Sequence, residues 1–485
     1  MLSYSFHNKK GSALYEQLYS FIRNDIISGI LPPKTRLPSK RSFAANLGIS
    51  TITVENAYAQ LLSEGYIFSI PKKGYYVSDI ILADNSKEAV MKRAGGPEGA
   101  AGLSRTGPGY PGADAGSAPE GGSVFADFTS NQTRPENFPF SVWARIVRKV
   151  LTFHDKDLMT RSPGGGIYGL RRAIAGHLRQ FRGINVAPEQ IIVGAGTEYL
   201  YGLLIQLLGF DKSYAIENPG YEKIAMIYDS YQVKKHYIDM DHHGIRIDQL
   251  RDSGADVLHI SPSHHFPTGI ITPVSRRYKL LKWAGESDSR YIIEDDYDSE
   301  FRLLGKPIPA MQSIDHQQKV IYINTFSKTL SSTMRISYMV LPMELLKRFQ
   351  AEMGFYSCTV PNFEQYSLML FIDEGHFEKH INRTRKYYHK QRDHLLSAIK
   401  KSPLASEVTI TEEDAGLHFL MKLNTDIPDD MVIRKAESLG IRLNCLSNYY
   451  VNAPEDAGHI FIINYSFIEP ERIEEAVDRI YRCLT

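Results

Sequence analysis

The sequence predicts two structural units, a small helical one at the N-terminus and a large α/β one behind it. Residues 95–122 contain ten glycines, four prolines and five alanines, a composition that buries too little apolar surface to fold alone. Downstream of about Ser123, short β-rich runs alternate with helical stretches, which is typical of a mostly parallel sheet covered by helices. We predict a small domain at 1–79, a flexible linker at 80–122 and a large domain at 123–485.

The large unit carries most of the evidence for an α/β fold. After about Pro361 its pattern changes to a helix followed by strands, which predicts a smaller C-terminal α+β lobe. The predicted strands are Ile191–Val193, Tyr214–Glu217, Val257–Ser261, Tyr291–Glu294, Val320–Asn324 and Ile336–Leu341, and helical periodicity fills Glu198–Leu208, Arg276–Ala284 and Glu344–Glu352.

Composition excludes several classes of protein. The chain of 485 residues has a net charge of +1 and only three cysteines. Their wide spacing, without a CxxC motif, predicts neither a disulfide framework nor a zinc site and fits a reducing cytoplasm. No run approaches 18 apolar residues, and the N-terminus lacks the apolar stretch of a signal peptide, so we expect a cytoplasmic protein without a membrane span or a bound metal.

Three helices are predicted in the first 79 residues. Apolar residues recur at helical spacing from Ala13 to Gly29, and Gly29 suits the C-terminal stop. Ser39 is placed to cap a second helix that ends near Gly48, and Ser50 can cap a third, from Thr51 to Ser63. The outward N-terminal turn of this third helix presents polar side chains: Thr51, Thr53, Glu55 and Asn56.

A basic hairpin is predicted to follow, because Gly65–Val77 alternates around Lys72 and Lys73. Helices joined by a turn and followed by such a hairpin make a winged helix-turn-helix, whose third helix enters the major groove of DNA. Residues 1–79 hold nine lysines and arginines against five acidic residues, which suits an anionic partner. A small protein-binding domain is the alternative interpretation. The residues predicted to bind DNA are Arg36, Ser39 and Arg41 at phosphates, Thr51, Thr53 and Asn56 at bases, and Lys72 and Lys73 at phosphate or the minor groove.

This unit resembles the GntR family of bacterial regulators. The family pattern of Leu-Pro-Ser-x-Arg, Leu-Gly-x-Ser, x-Thr-Val, Ala-Tyr, Leu and Glu-Gly is present from Leu37 to Gly65. The resemblance implies a DNA-binding domain. Thr51 stands where the family usually has arginine, which predicts a different operator, since arginine commonly reads guanine.

In the large unit, Lys328 follows a predicted strand, where a lysine can form a Schiff base with a carbonyl compound. Arg335 lies seven residues further on and can meet a phosphate. Asp295 ends the strand before that of Lys328, where its carboxylate can pair with a protonated pyridine nitrogen, and Tyr297 can bind a phenolate oxygen. The turn at Gly196 and Thr197 opens a helix, and backbone N–H groups there favour phosphate. Ordinary turns and surface charges are the alternative interpretation.

These residues resemble the fold-type I aminotransferases over roughly residues 123–485. The resemblance implies pyridoxal 5′-phosphate (PLP) as cofactor and Lys328 as the lysine that binds it covalently. It further implies Asp295 as partner of the pyridine nitrogen, Tyr297 as phenolate ligand and Tyr221 as the ring over the cofactor. The implied phosphate ligands are the turn at Gly196 together with Thr197, Thr325 and Arg335.

The loop Ser261–Gly269 matches the family's Asn-Pro-Thr-Gly segment, with Phe266 in place of the asparagine. This loop with its phenylalanine resembles MocR/GabR-type regulators. So does the order of the chain: a GntR-like head, a linker and an aminotransferase-like body. That resemblance implies a homodimer in which the head of one chain lies against the body of the other.

We therefore predict a PLP-dependent transcriptional regulator that senses an amine, an amino acid or PLP itself. The alternatives are a functional aminotransferase with an accessory DNA-binding head, and a plain repressor with an inactive body. Related regulators bind γ-aminobutyrate with an arginine where this chain has Lys223, and aminotransferases carry a second arginine in the stretch that reads Phe461–Ser466 here. Lysine does not replace a bidentate arginine, so we do not expect γ-aminobutyrate as the effector.

Overall fold

The computed structural model describes residues 4, 14–70, 73–79, 124–302, 309–414, 416–454 and 457–484. The linker predicted at 80–122 and the predicted DNA contact Lys72 lie outside these residues.

The N-terminal domain, called the head below, has the predicted winged helix-turn-helix fold. Ser39 and Ser50 adopt extended backbone conformations, and their hydroxyl oxygens accept hydrogen bonds from the N–H groups of Ser42 and Thr53. These bonds satisfy amide groups that a helix N-terminus leaves unpaired. The helices are Leu14–Ile27, Lys40–Leu47 and Thr51–Ser63, and the antiparallel wing pairs Ile67–Ile70 with Gly74–Val77.

A mainly parallel sheet of eight strands forms the centre of the large domain. All strands except Ser337–Val340 and the short edge strand Gly244–Ile245 run in one direction, so their carboxyl ends meet along one edge. The strands lie in the spatial order Ile191–Gly194, Ser337–Val340, Val320–Thr325, Tyr291–Asp295, Val257–Ile260, Ser213–Asn218, Lys234–Asp241 and Gly244–Ile245.

Helices cover this sheet and bury its apolar side chains in continuous cores. None of the helices in the described ranges combines the length and apolar character that a membrane crossing requires. The helices of this domain are Phe140–Phe153, Asp155–Leu158, Tyr168–Phe181, Thr197–Leu208, Glu222–Ser230, Ile247–Asp252, Val274–Gly285, Met311–Ile314, Phe326–Thr329, Met343–Met353, Asn362–Asp373 and His376–Lys401.

The C-terminal part forms the expected α+β lobe, which also includes an N-terminal strand. Ala126–Asp127 pairs with Ile441–Arg442, and Phe128 is fully buried in the core of the lobe. The chain therefore enters the large domain through the small lobe. An antiparallel sheet in the order Val408–Thr411, His418–Leu423, Ile460–Asn464 and Asn444–Cys445 packs against helices Asp429–Ser438 and Ile473–Arg482.

The head lies against the large domain of its own chain in this structure, whereas the family resemblance implies contact with the partner chain. The backbone N–H of Val274 donates to the carbonyl of Glu64 at 2.9 Å, and Nη2 of Arg302 donates to Oγ of Ser63 at 3.1 Å. Apolar side chains of both domains form one continuous core.

Candidate cofactor pocket and DNA-binding face

A cavity of about 610 Å³ opens at the carboxyl ends of the parallel strands. Open α/β sheets bind their ligands at this edge, because loops from several strands converge there. Seven of the residues predicted to hold the cofactor line the cavity: Thr197, Tyr221, Asp295, Tyr297, Thr325, Lys328 and Arg335. The eighth, Gly196, precedes Thr197 and caps the helix that begins there.

Lys328 lies in the short helix Phe326–Thr329, directly after the strand Val320–Thr325. Its ammonium group donates to the carbonyl of Asn131 at 3.2 Å. Removal of water by the surrounding protein lowers the pKa of Lys328 to about 8, and the negative charge of Asp298 offsets part of this effect. A lowered pKa leaves more of the amine neutral near pH 7, which is what attack on an aldehyde requires.

Asp295 is held by neighbours that sequence reasoning did not identify. The hydroxyl of Tyr201 donates to its Oδ2 atom, and Nε2 of His259 lies 3.9 Å from the same atom. The ring of His259 is fixed in turn by the hydroxyl of Tyr228, 2.7 Å from Nδ1. Oδ1 of Asp295 is buried and has no hydrogen-bond partner in the part of the chain that the structure describes, so this oxygen is available to a cationic N–H group.

The predicted phosphate-binding corner carries an ion-pair network. Arg335 and Lys223 both bind the carboxylate of Glu198. Partial burial on its own would raise the pKa of Glu198, but the hydrogen bonds from Lys223 and Arg335 lower it overall. Gly196 adopts a φ of +94°, and a Cβ atom there would overlap the guanidinium group of Arg335, so only glycine lets Arg335 pack against the backbone at this corner.

Two hydroxyl groups near Lys328 differ in their partners. Oγ1 of Thr325 accepts from the N–H of Ser327 at 3.1 Å and contacts Oγ of Ser337 at 2.8 Å. Oγ of Ser327 is buried and finds no partner among the described residues. Thr325 therefore caps the short helix as well as lining the cavity, and Ser327 is an additional candidate ligand for a phosphate.

Aromatic side chains form the opposite wall of the cavity. The ring of Tyr221 meets Phe266 edge to face at a centroid distance of 5.9 Å, and Phe266 packs in the same way on Tyr449. The hydroxyl of Tyr297 lies 3.4 Å from Nδ1 of His264. Phe266, which replaces a family asparagine, thus contributes an apolar surface rather than a hydrogen bond.

These groups fit PLP. Among the described residues, Oδ1 of Asp295 and the hydroxyl of Ser327 have no hydrogen-bond partner, which suits a pyridine N–H and a phosphate oxygen. The amine of Lys328, with its lowered pKa, suits the aldehyde. Bound PLP supplies an aldehyde that captures primary amines and a ring that withdraws electrons from them.

Several pocket residues were missed by sequence reasoning, and one of them left a usable signal. Tyr201 stands four residues after Thr197 on the same helix, so both side chains face the cavity. Asn131, which contacts Lys328, and Glu198, which binds Arg335, left no such signal. Each lies far along the chain from its partner, and only the tertiary fold brings the two together.

Most of the residues predicted to bind DNA are exposed, and we call the surface that carries them the DNA-binding face. Arg36 precedes the second helix, Arg41 lies in it, Thr51 and Asn56 lie in the third helix, and Lys73 lies between the strands of the wing.

Other parts of this face are organised by contacts within the head. Thr53 is half-buried, with its hydroxyl 2.8 Å from that of Ser50, and Ser39 caps the second helix. Lys40 and Glu55 form an ion pair of 2.6 Å that joins the second and third helices. Ile52, which was not predicted to bind DNA, exposes 69% of its surface beside Thr51.

Comparison with known proteins identifies the family of each domain. Residues 14–77 match the model of the gntR family of bacterial regulatory proteins, and residues 125–480 match that of class I and II aminotransferases. The structure of a kynurenine aminotransferase from Pyrococcus horikoshii superposes with a TM-score of 0.64, covering 75% of this chain and 91% of that one at 22% identity. The fold is therefore that of a PLP-dependent transferase joined to a GntR-type head.

Two relatives share this whole arrangement. The regulator YdeL of Bacillus subtilis is 35% identical over 91% of this chain and 90% of its own length. The probable rhizopine catabolism regulatory protein MocR of Rhizobium meliloti is 32% identical over 96% of this chain and 92% of its own. Fold and sites define a PLP-dependent, DNA-binding transcriptional regulator. The chain belongs to the MocR-type family, in which a GntR head precedes a class I and II aminotransferase domain.

Proposed function

We propose that this regulator reads the state of its PLP pocket and adjusts its binding to an operator accordingly. The observation that carries this proposal is the presence, in one chain, of an exposed recognition helix at Thr51–Ser63 and a cavity furnished for PLP. A cytoplasmic location follows from the proposal, since the target DNA lies there.

The proposed cofactor ligands divide the work in the pocket. Lys328 would hold PLP covalently and Asp295 would keep the pyridine nitrogen protonated, with Tyr201 and His259 positioning its carboxylate. Tyr297 would bind the phenolate oxygen, and Tyr221 would lie against the ring. Gly196, Thr197, Thr325 and Arg335, together with Ser327, would bind the phosphate.

The proposed DNA interface uses the exposed face of the head. Arg36, Arg41, Lys72 and Lys73 neutralise phosphates, and Ser39 adds a polar contact at the start of the second helix. Thr51, Thr53 and Asn56 read base edges in the major groove. Ile52 is placed to contact the 5-methyl group of thymine, because aliphatic side chains read that group.

The proposed effector is an amine that needs no bidentate carboxylate clamp, or PLP itself. The cations among the cavity-lining residues described are Lys223, Lys328 and Arg335. Lys223 is bound to Glu198, and Lys328 and Arg335 are assigned to the cofactor. In the last strand, Ile462 is buried in an apolar cluster that includes Phe266 and Tyr449. Titration calorimetry of the PLP-loaded protein tests this, and tight binding of γ-aminobutyrate would contradict it.

We further propose that the chain forms a homodimer. Phe153, Met159 and Phe355 each expose about two-thirds or more of their surface, and an exposed apolar patch marks a protein interface when such side chains lie together. Arg161 joins this region by donating to the carbonyl of Phe355 at 2.7 Å. The region adjoins the pocket, because the N–H of Ala195 donates to Thr359. Sedimentation at micromolar concentration tests the assembly, and a monomer would contradict it.

An aminotransferase activity is the second candidate, favoured by the complete set of cofactor groups. Steady-state assays with amino donors and 2-oxo acids separate the two functions. Regulation alone predicts turnover far below the roughly 10 s⁻¹ that is typical of metabolic enzymes.

Selection of bound fragments from genomic DNA, with and without PLP, tests the regulator directly. Recovery of no specific fragment in either condition would refute the proposed regulatory function.

A further inference from the structure

The head rests on the ends of two chain segments that begin in the cofactor pocket. The first runs from Ser261 to Val274 and includes Phe266 of the aromatic wall. The second runs from Asp295 to Arg302 and includes Tyr297. Ser261, Phe266, Asp295 and Tyr297 line the cavity, whereas Val274 and Arg302 bind the head.

The first segment is held at both ends by one buried arginine. Arg277 is fully buried and donates to the carbonyls of Pro262 and Thr272 at 2.7 and 2.8 Å. Arg277 thus joins Pro262, which follows the cavity-lining Ser261, to Thr272, two residues before Val274. A displacement at the pocket end of the segment is therefore carried through this arginine towards the contact with the head, because a tightly packed interior transmits strain.

The second segment is tied to the first in the middle. Nδ1 of His264 lies 2.8 Å from Oδ2 of Asp298, and both side chains are buried. The carbonyl of Glu300 accepts two hydrogen bonds from Arg385, at 3.0 and 2.8 Å. The two segments are therefore coupled to each other between the pocket and the head.

The contact on the head side is closely fitted. Glu64 is fully buried there, and its carboxylate accepts hydrogen bonds from Tyr19 and Gln60. A Cβ atom on Gly65 would approach Cβ of Pro273 to 2.7 Å. Burial raises the pKa of Glu64, and the hydrogen bonds together with the charges of Arg302 and Arg23 offset part of the rise.

We propose that Pro273, Val274 and Arg302 form a docking surface for the DNA-binding head, and that the two segments ending there transmit the state of the cofactor pocket to it. This inference rests on the proposed sensing function. The occupant is the GntR-type head of the same chain, which presents Ser63, Glu64 and Gly65 to this surface.

The docking itself is tested without reference to PLP. In the full-length protein, Ser63→Cys and Arg302→Cys are combined and treated with a short bismaleimide, and the two single variants serve as controls for the native cysteines. A product absent from both controls supports the docking surface. Mass spectrometry of the gel bands detects the linked pair of peptides: a link within the one-chain band supports docking of the chain's own head, and a link found only in the two-chain band would overturn it. No such product would overturn the docking surface.

The coupling is tested in the full-length protein by operator affinity with and without PLP. We expect PLP to change the Kd of the wild type by about tenfold, within the usual range of allosteric coupling. Arg302→Ala and Ser63→Ala are expected to keep both PLP binding and DNA binding while this ratio falls to one. Arg348→Ala, which removes an exposed arginine paired with Glu352, keeps the ratio and is the matched control.

Two results distinguish the failure of this inference from the failure of the proposed function. Full coupling retained in both Arg302→Ala and Ser63→Ala would overturn the transmission route while leaving the sensor intact. A wild type that binds PLP and operator without any coupling would overturn the sensing function itself, and with it the transmission route.

Discussion

The DNA-binding face and the cofactor pocket differ in how their side chains are held. Arg41, Thr51 and Asn56 project from two short helices into solvent, whereas Asp295 and Lys328 are fixed by Tyr201 and Asn131. Groups fixed before binding lose little entropy when they bind, but exposed side chains must be ordered by their target. Substitutions in the pocket should therefore have large, chemically specific effects on PLP binding, and substitutions on the head should have smaller effects on DNA binding.

The largest effect is expected for Lys328→Ala. Lysine-bound PLP absorbs visible light, so the purified wild type should be yellow and the variant should lose this band completely. The fold should persist, because Lys328 is only partly buried and makes one hydrogen bond to Asn131. Absorbance spectra and thermal unfolding check both points, with the exposed Lys347→Ala as control. A colourless wild type after incubation with PLP would contradict the assignment.

Attachment of PLP should depend on pH with a midpoint near the lowered pKa of Lys328, about 8. Only the neutral amine reacts, so the rate should fall about tenfold per pH unit below the midpoint and level off above it. Asp298→Asn should move the midpoint lower, because the carboxylate of Asp298 favours the protonated amine. Stopped-flow absorbance measures the rate; a midpoint near 10.5 would indicate a lysine in water.

Arg335→Ala should weaken PLP retention by about 2 kcal/mol, or roughly 30-fold, the usual value for a hydrogen bond to a charged group. Lys223→Ala is the matched control, since both cations bind Glu198 and only Arg335 is assigned to the phosphate. Equilibrium dialysis of PLP compares them. Equal losses in the two variants would place the phosphate elsewhere.

The smallest effect is expected at Ile52. Ile52→Ala should weaken operator binding by about 1 kcal/mol, the contribution of one or two buried methylene groups. Replacing operator thymines with deoxyuridine, which lacks the methyl group, should weaken the wild type by a similar amount and leave the variant unchanged. Additive losses in a fluorescence titration would show that Ile52 does not contact a thymine methyl.

Local signals made the head highly predictable. Ser50 capping a helix from Thr51 to Ser63 follows from side-chain chemistry within a few residues, and the structure has these bounds.

The strands predicted for the large domain agree with the structure to within one residue at each end. Lys234–Asp241 was missed because this strand is charged and only Ile238 is fully buried in it.

The cofactor pocket was predictable in part. Motif spacing located Asp295 and Lys328, since each follows a strand of the sheet. The partners that tune them lie far away along the chain. Asn131 is 197 residues from Lys328, and Glu198 is 137 residues from Arg335. The folded topology alone brings such pairs together, so no local pattern identifies them.

Operator affinity of the full-length protein, titrated with PLP at constant salt, tests most directly whether the pocket controls the head. The account predicts a shift of about tenfold in Kd for the wild type, and no shift for Lys328→Ala, whose head remains competent to bind DNA. An identical Kd with and without PLP, in a wild type that is visibly yellow, would contradict it.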